Sequence, residues 1–179
     1  MKVSETEFEG LYIVESHVFQ DERGTFNKSW VKAELSTIVQ DNCEMYISHS
    51  KKGVFRGLHY QRGGRSQGKY ISCISGRIKD VAVDLRKKSS TYSKVFTIDL
   101  VGMSGLGVYI PKGFAHGFFS YDESLIVNIC DSDYSPGDEE CISWDSIAEL
   151  ENLNVTNISE KDKAAKTLGC YLNENSNWS

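Results

Sequence analysis

The sequence has 179 residues, of which 40% are hydrophobic, and this content is enough to bury one core. Its 20 basic and 25 acidic side chains give a formal net charge of -5, so no basic surface is expected to follow a nucleic-acid backbone. No apolar run reaches the roughly 18 residues of a membrane span, and the N-terminus MKVSETEFEG lacks an apolar signal core. We therefore expect one cytoplasmic domain, residues 1–179, without nucleic-acid or membrane partners.

Short segments rich in Val, Ile, Phe and Tyr alternate with turn signals from Gly24 to Gly137, which predicts an all-β sandwich or barrel. Residues 1–20 precede it as an N-terminal strand segment. IKDVAVDL at 78–85 alternates in polarity and, with YISCIS before it and KVFTIDL after it, predicts a three-stranded meander. Residues 145–179 are expected to form a helical tail, in which Ser159 caps a short helix that runs through KAAKTL and NENSNWS is a loose end.

The cysteines and histidines give no sign of a metal or a disulfide framework. The cysteines are odd in number and contain no CxxC pair, which indicates reduced, mostly buried thiols; they are Cys43, Cys73, Cys130, Cys141 and Cys170. The four histidines lack the ligand spacing of a metal-binding β-barrel. We expect no metal and no cofactor.

The stretch VFRGLHYQ at 54–61 sets Arg56 and His59 three residues apart on a predicted strand, where a regular pleat would aim them at opposite faces. A bulge at Gly57 would let both side chains enter one cavity. A near-neutral pKa is typical of histidine and suits a general base, although a lone histidine on a strand is also commonly structural.

Six segments of the chain resemble, in order, the dTDP-4-dehydrorhamnose 3,5-epimerase family. They are FQDERGTFNKSW at 19–30, KKGVFRGLHYQ at 51–61, QGKYISCISGRIKDVAVDLRKKSSTY at 67–92, IPKGFAHGFFS at 110–120, DYSPGDEECISW at 133–144 and ISEKD at 158–162. The pair RGLHYQ and GFAHGF is the most specific part. The resemblance implies a cupin-type jelly-roll barrel with short C-terminal helices, a homodimer, no metal, and a nucleotide-linked 4-keto-6-deoxy sugar as substrate.

The resemblance also implies roles for individual residues. His59 would be the general base, oriented by Asp162, while Lys69 and His116 would stabilise the enolate oxygen at C4. Such a pairing of base and donor is what abstraction of a proton beside a ketone requires. The implied substrate-binding residues include Arg23 and Arg56 for the diphosphate, Phe26 for the nucleoside, Tyr134 near the diphosphate, and Gln61.

Plainer interpretations stay open for four of these residues. Arg23 could be a solvated turn residue and Lys69 an edge-strand lysine that deters aggregation. Asp162 could be a helix-terminus charge, and Tyr134 could simply close a turn.

The chain departs from the family at the proton donor. The family carries a tyrosine six residues before the tyrosine of the YSP turn, and counting back from Tyr134 reaches Asn128, if one residue is lost in the loop after His116. An amide cannot give up a proton at useful cost. The alternative donors are a water molecule held by Asn128, the Tyr121 hydroxyl and the Cys130 thiol. We expect that the protein inverts C3 alone.

A second departure concerns the nucleoside. From position 44 to position 50 the family usually reads Gln-x-Asn-x-Ser-x-Ser, where this chain reads EMYISHS, so glutamine is replaced by Glu44 and asparagine by Tyr46. The family also carries glutamate where this chain has Lys28. Together Glu44 and Lys28 would suit a guanine edge, so GDP is an alternative to the family's usual dTDP. The alternative functions are a full 3,5-epimerase, a 3,4-ketoisomerase and a non-catalytic nucleotide-sugar binder.

Overall fold

Antiparallel strands dominate the computed structural model, which describes residues 1–39 and 44–176. The strands are β1 (Lys2–Glu5), β2 (Tyr12–Glu15), β3 (Val18–Asp21), β4 (Gly24–Asn27), β5 (Glu44–Ser50), β6 (Phe55–Gln61), β7 (Lys69–Ser75), β8 (Arg77–Asp84), β9 (Val95–Val101), β10 (Leu106–Ile110), β11 (Phe114–Ser120), β12 (Ser124–Cys130) and β13 (Glu139–Cys141). A six-stranded sheet has the order β1-β2-β10-β7-β12-β5, and a five-stranded sheet has the order β13-β6-β11-β8-β9. Strands β3 and β4 form a separate hairpin. The predicted all-β fold is confirmed.

Helices are few and short. They are α1 (Lys32–Leu35), α2 (Glu160–Lys163) and α3 (Leu168–Ser176), with 3-10 turns at Gly63–Arg65, Trp144–Ser146 and Ala148–Leu150. The predicted cap is confirmed, because the Ser159 hydroxyl accepts the Asp162 N–H at 3.1 Å. Among the described residues, no helix is both long enough and apolar enough to cross a bilayer.

The C-terminal segment differs from the prediction in two ways. Helix α2 ends at Lys163 instead of running through KAAKTL, because the chain then turns to pair beside Ile142, where the Ser143 N–H donates to the Lys166 carbonyl. Helix α3 extends as far as Ser176 into the supposedly loose end, because Leu168 and Tyr171 pack against a buried cluster.

Three buried clusters hold the layers together. One lies between the two sheets, with Ile71 and Val108 from the six-stranded sheet meeting Ile78 and Phe118 from the five-stranded sheet. Another covers the opposite face of the five-stranded sheet with the C-terminal segment, and the third packs α1 on the six-stranded sheet. The five-stranded sheet is therefore covered on both faces.

The predicted meander of YISCIS, IKDVAVDL and KVFTIDL is wrong in one of its two pairings. Strand β8 pairs with β9 as expected, but its other neighbour is β11. Strand β7 instead pairs with β10 and β12 in the other sheet. The chain crosses between sheets at Gly76, so that apolar residues of β7 and β8 face each other across the core instead of lying side by side.

The predicted bulge at Gly57 is confirmed. His59 pairs with His116 and Arg56 with Phe118, so β6 uses one residue more than β11 over the same span. Gly57 has φ +116°, and a Cβ there would lie 2.6 Å from the Gly117 Cα. A Cβ on Gly117 would in turn lie 2.5 Å from the Arg56 carbonyl oxygen. This close approach of β6 and β11 requires glycine on both strands.

The four cysteines in the described part of the chain are free thiols. Cys73 and Cys130 are buried and Cys141 is half-buried, whereas Cys170 is exposed. Cys43 lies outside the described residues.

Candidate active site

Residues of both sheets line a cavity of about 450 Å³. One wall of the cavity belongs to the six-stranded sheet and carries Tyr46, Lys69 and Asn128. The opposite wall belongs to the five-stranded sheet and carries Arg56, His59 and His116. Residues between Asn157 and Asp162 close one side. A second cavity of about 260 Å³ shares Tyr46, His59 and Lys69 with the first. Cavities of this size with convergent polar groups are typical of small-molecule sites.

His59 and Asp162 form a close pair at the centre of the cavity. The His59 Nε2 lies 2.7 Å from the Asp162 Oδ1, and Asp162 is only 3% exposed. Burial raises the pKa of Asp162, but its hydrogen bond and charge interaction with His59 outweigh burial, so the net pKa lies below the ordinary value. An ionised Asp162 can orient the imidazole and stabilise the imidazolium formed when it takes a proton.

Glu139 and Lys161 lie beside this pair, and neither was among the residues predicted for the site. The Glu139 Oε1 lies 4.0 Å from the His59 Nδ1, and Glu139 also accepts hydrogen bonds from Lys161 and from the Tyr134 hydroxyl. Burial raises the pKa of Glu139, and these hydrogen bonds lower it further than burial raises it. Both Glu139 and Lys161 lie inside segments that resemble the family, and that position was the signal available.

Cys141 brings a thiol to the same place. Its Sγ lies 3.6 Å from the Asp162 Oδ1, and the ligand-type atoms of His59, Cys141 and Asp162 lie within 4.8 Å of one another. Burial raises the pKa of Cys141 to about 12, so the thiol holds its proton at neutral pH. The Cys141 thiol donates to the Asp162 carboxylate, and so adds a further hydrogen bond to the group that pairs with His59.

Lys69 and His116 both line the cavity, as expected. Burial lowers the pKa of Lys69, and no carboxylate of the described residues lies within ion-pair distance of its ammonium group. The His116 Nε2 lies 2.8 Å from the buried Asp80 carboxylate, which holds the ring beside His59. Lys69 therefore brings a hydrogen-bond donor to the wall that faces the base across the cavity.

Asn128 is 2% exposed, and its amide nitrogen has no hydrogen-bond partner among the described residues. It lies directly opposite Tyr46 in the pairing of β12 with β5. Tyr46 was not predicted to line a cavity, although the two-residue period of a strand through Glu44 puts positions 44, 46, 48 and 50 on one face.

Tyr121 and Cys130, the two side chains named as alternative proton donors, occupy different surroundings. Tyr121 packs edge-on against Phe119 and under the Arg77 guanidinium, and it lines neither cavity. Cys130 is fully buried on the cavity-facing side of β12, two residues from Asn128 and hydrogen-bonded to Tyr46, and burial raises its pKa to about 11. The expectation for Tyr121 is corrected, because its side chain packs away from both cavities, whereas Cys130 stays an alternative donor.

The other expected substrate-binding residues on the sheets line one cavity or the other. Arg56 lines the larger one, where its Nε donates to the Ser50 hydroxyl at 2.8 Å. Gln61 and Tyr134 line the smaller one together with Glu44. The Gln61 amide makes hydrogen bonds to backbone groups, including the Ser135 N–H at 2.7 Å, so it shapes the wall.

The structure does not bring the residues of the β3–β4 hairpin to these cavities. Arg23 is exposed, pairs with Asp21 and lines a separate cavity of about 370 Å³ together with Phe26. Lys28 is exposed and lines neither of the two shared cavities. Glu44 instead accepts the Tyr134 N–H at 2.9 Å, so the expected Glu44–Lys28 pair for guanine does not form within one chain.

Comparison with known proteins gives one family. Residues 5–169 match the family model described as dTDP-4-dehydrorhamnose 3,5-epimerase. The chain is 38% identical to the dTDP-4-dehydrorhamnose 3,5-epimerase of Salmonella typhimurium, over 94% of this chain and 96% of that protein.

Solved structures agree with this match. A dTDP-6-deoxy-D-glucose-3,5-epimerase from Legionella pneumophila, in complex with dTDP-4-keto-L-rhamnose, is 32% identical with a TM-score of 0.85 and coverage of 94% and 93% of the two chains. A 3'-monoepimerase from Streptomyces bikiniensis, in complex with dTDP-quinovose, is 25% identical with a TM-score of 0.83 and coverage of 92% and 86%. The fold is thus the expected cupin-type jelly roll. The chain is an isomerase-class carbohydrate epimerase, and it belongs to the dTDP-4-dehydrorhamnose 3,5-epimerase family.

Proposed function

We propose that this protein epimerises C3 of a dTDP-linked 4-keto-6-deoxy sugar. The observation that carries the proposal is the His59–Asp162 pair at 2.7 Å, which faces Lys69 across one cavity. Pure binding of a sugar nucleotide needs neither a base nor a carboxylate that supports it, so this pair favours catalysis over a binding module.

The chemistry follows from these groups. His59 takes the proton from C3 while the electron pair moves to the C4 oxygen, which becomes an enolate. The Lys69 ammonium from one wall and His116 from the other stabilise that developing charge, and Asp162 stabilises the imidazolium. Return of a proton to the opposite face of C3 inverts the centre.

The remaining residues are proposed to hold the carrier. Arg56 can meet the diphosphate, for which its planar fork is suited. Arg23 and Phe26 lie on an exposed hairpin, where the Phe19 and Phe26 rings are 6.3 Å apart and both exposed. We propose that a second copy of the chain covers this hairpin in a homodimer, so that Arg23 and Phe26 serve its site. The dTDP carrier is favoured because the two solved relatives named above are in complex with dTDP sugars.

Selectivity for C3 is proposed because Asn128 stands where the family carries its phenol. The full 3,5-epimerase is the second candidate, because most of the relatives carry that name.

Turnover of a dTDP-linked 4-keto-6-deoxyglucose in deuterated water, followed by NMR, tests the proposal. Deuterium at C3 alone, with inversion, is the expected result, and His59→Asn should abolish it. Deuterium at C3 and C5 would establish the full 3,5-epimerase, and a carbonyl moved to C3 would establish the ketoisomerase. Binding of the sugar nucleotide without deuterium exchange would establish a non-catalytic binder. Faster turnover of the same sugar on GDP would overturn the assigned carrier.

A further inference from the structure

Inversion requires a proton donor on the wall opposite the base, and Asn128 cannot be that donor. His59 lies on β6 of the five-stranded sheet, so the donor must come from the six-stranded sheet. Tyr46 lies on that sheet, on the edge strand β5, and it lines both cavities with His59 and Lys69.

The pairing of β5 with β12 places Tyr46 directly opposite Asn128. Residues opposite each other on antiparallel strands point to the same face, and their Cβ atoms lie about 4.5–5.5 Å apart. A phenol moved from position 128 to position 46 therefore enters the same cavity from the neighbouring strand. The family usually carries asparagine at position 46 and tyrosine at position 128. In this chain the two residue types are exchanged within that cross-strand pair.

We propose that Tyr46 is the catalytic acid that protonates C3 on the face opposite His59. This inference rests on the proposed function and deepens it. The O–H bond of Tyr46 breaks as the new C3–H bond forms, the enolate electrons return to C3, and the C4 ketone is restored. The tyrosinate and the imidazolium left behind exchange protons with solvent, which returns both groups to their starting states.

The surroundings of Tyr46 suit a group that must hold its proton until the enolate forms. Burial raises its pKa, and Cys130, Glu44 and Glu139 act in the same direction, so the phenol is protonated at neutral pH. The Asn128 amide nitrogen opposite it is buried and unpartnered in the described chain, which leaves one donor for the bound sugar. Tyr46 and Asn128 together thus offer a proton and a hydrogen bond.

Tyr46→Phe separates proton transfer from binding. In deuterated water the variant should still exchange the C3 hydrogen, because His59 can return a deuteron to the face from which it took the proton. The labelled sugar should keep its configuration, and the rate of inversion should fall about 10²-fold or more. Tyr12→Phe, which removes a hydroxyl from the same sheet at β2, is the matched control and should leave both rates unchanged.

The double variant Tyr46→Asn/Asn128→Tyr restores the family's usual arrangement. It should recover inversion that Tyr46→Asn alone loses, because the phenol returns to the cavity from β12. Loss of both exchange and inversion in Tyr46→Phe, or inversion at the wild-type rate, would overturn the assignment while leaving the proposed function intact. Absence of exchange in the wild-type protein would overturn the proposed function as well.

Discussion

Gly57→Ala should destabilise the protein more than a glycine replacement of matched backbone geometry elsewhere. An alanine Cβ at position 57 would lie 2.6 Å from the Gly117 Cα and 2.7 Å from the His116 carbonyl oxygen. Because unstrained contacts lie near 3.5 Å, β6 and β11 would have to separate by about 1 Å. Forced overpacking of this kind costs about 1–3 kcal/mol, and the φ of +116° adds about 1–3 kcal/mol of backbone strain.

Gly24→Ala is the control, since Gly24 has φ +125° but no atom within 4 Å of an added Cβ. It should cost only the backbone part, about 1–3 kcal/mol, whereas Gly57→Ala should cost about 2–6 kcal/mol. Urea unfolding curves of both variants measure the difference in the free energy of unfolding. Deuterium exchange at C3 should fall about 10²-fold in Gly57→Ala, because His59 would be displaced. Equal destabilisation of the two variants would refute the argument that the close approach of the strands requires glycine.

Three further predictions concern charged groups. Asp162→Asn should lower turnover by about 10²-fold or more, because an amide cannot stabilise the imidazolium of His59, and steady-state kinetics measure this. Burial lowers the pKa of Lys69 below 10.5, and its ammonium form is the active one, so activity should be lost with rising pH before pH 10.5 is reached. Lys69→Met should remove most activity, and the activity that remains should not show this alkaline decline. Burial raises the pKa of Asp84, but bonds from Arg86, Ser89 and Thr91 outweigh it and lower the pKa from 3.8 to about 2. At about 1.4 kcal/mol for each pKa unit, this contributes about 2 kcal/mol to stability above pH 4, which is lost as the pH falls towards 2. Urea midpoints of the wild type should fall over that range and those of Asp84→Asn should fall less.

The fold was predictable as far as local signals reach. Turn residues and apolar segments identified strands β6, β7, β8 and β9, and the serine three residues before Asp162 identified the cap. The partners of each strand were not predictable. Apolar strands such as β7 and β8 have the same sequence pattern whether they pair side by side or face each other across a core. The helical end at Leu168–Ser176 was missed because its order comes from packing of Leu168 and Tyr171, not from its polar composition.

The site was predictable where its chemistry is concentrated in one motif. The bulge at Gly57 and the approach of Asp162 to His59 followed from residue types and resemblance. The role of Tyr46 was not predictable, because only the pairing of β5 with β12 joins the departure from the family at Tyr46 to the departure at Asn128. Positions far apart in the chain carry no sign of such a pairing.

The position of β5 at the end of its sheet has an evolutionary consequence. Glu44 and Tyr46 stand on a strand that pairs with one other strand of the described residues, β12, so substitutions there disturb one strand pairing, while His59 and His116 lie on strands paired on both sides. Selection can therefore alter the wall that meets the sugar and its carrier without endangering the fold. New substrate preferences should arise first along this edge, and the base should persist through such changes.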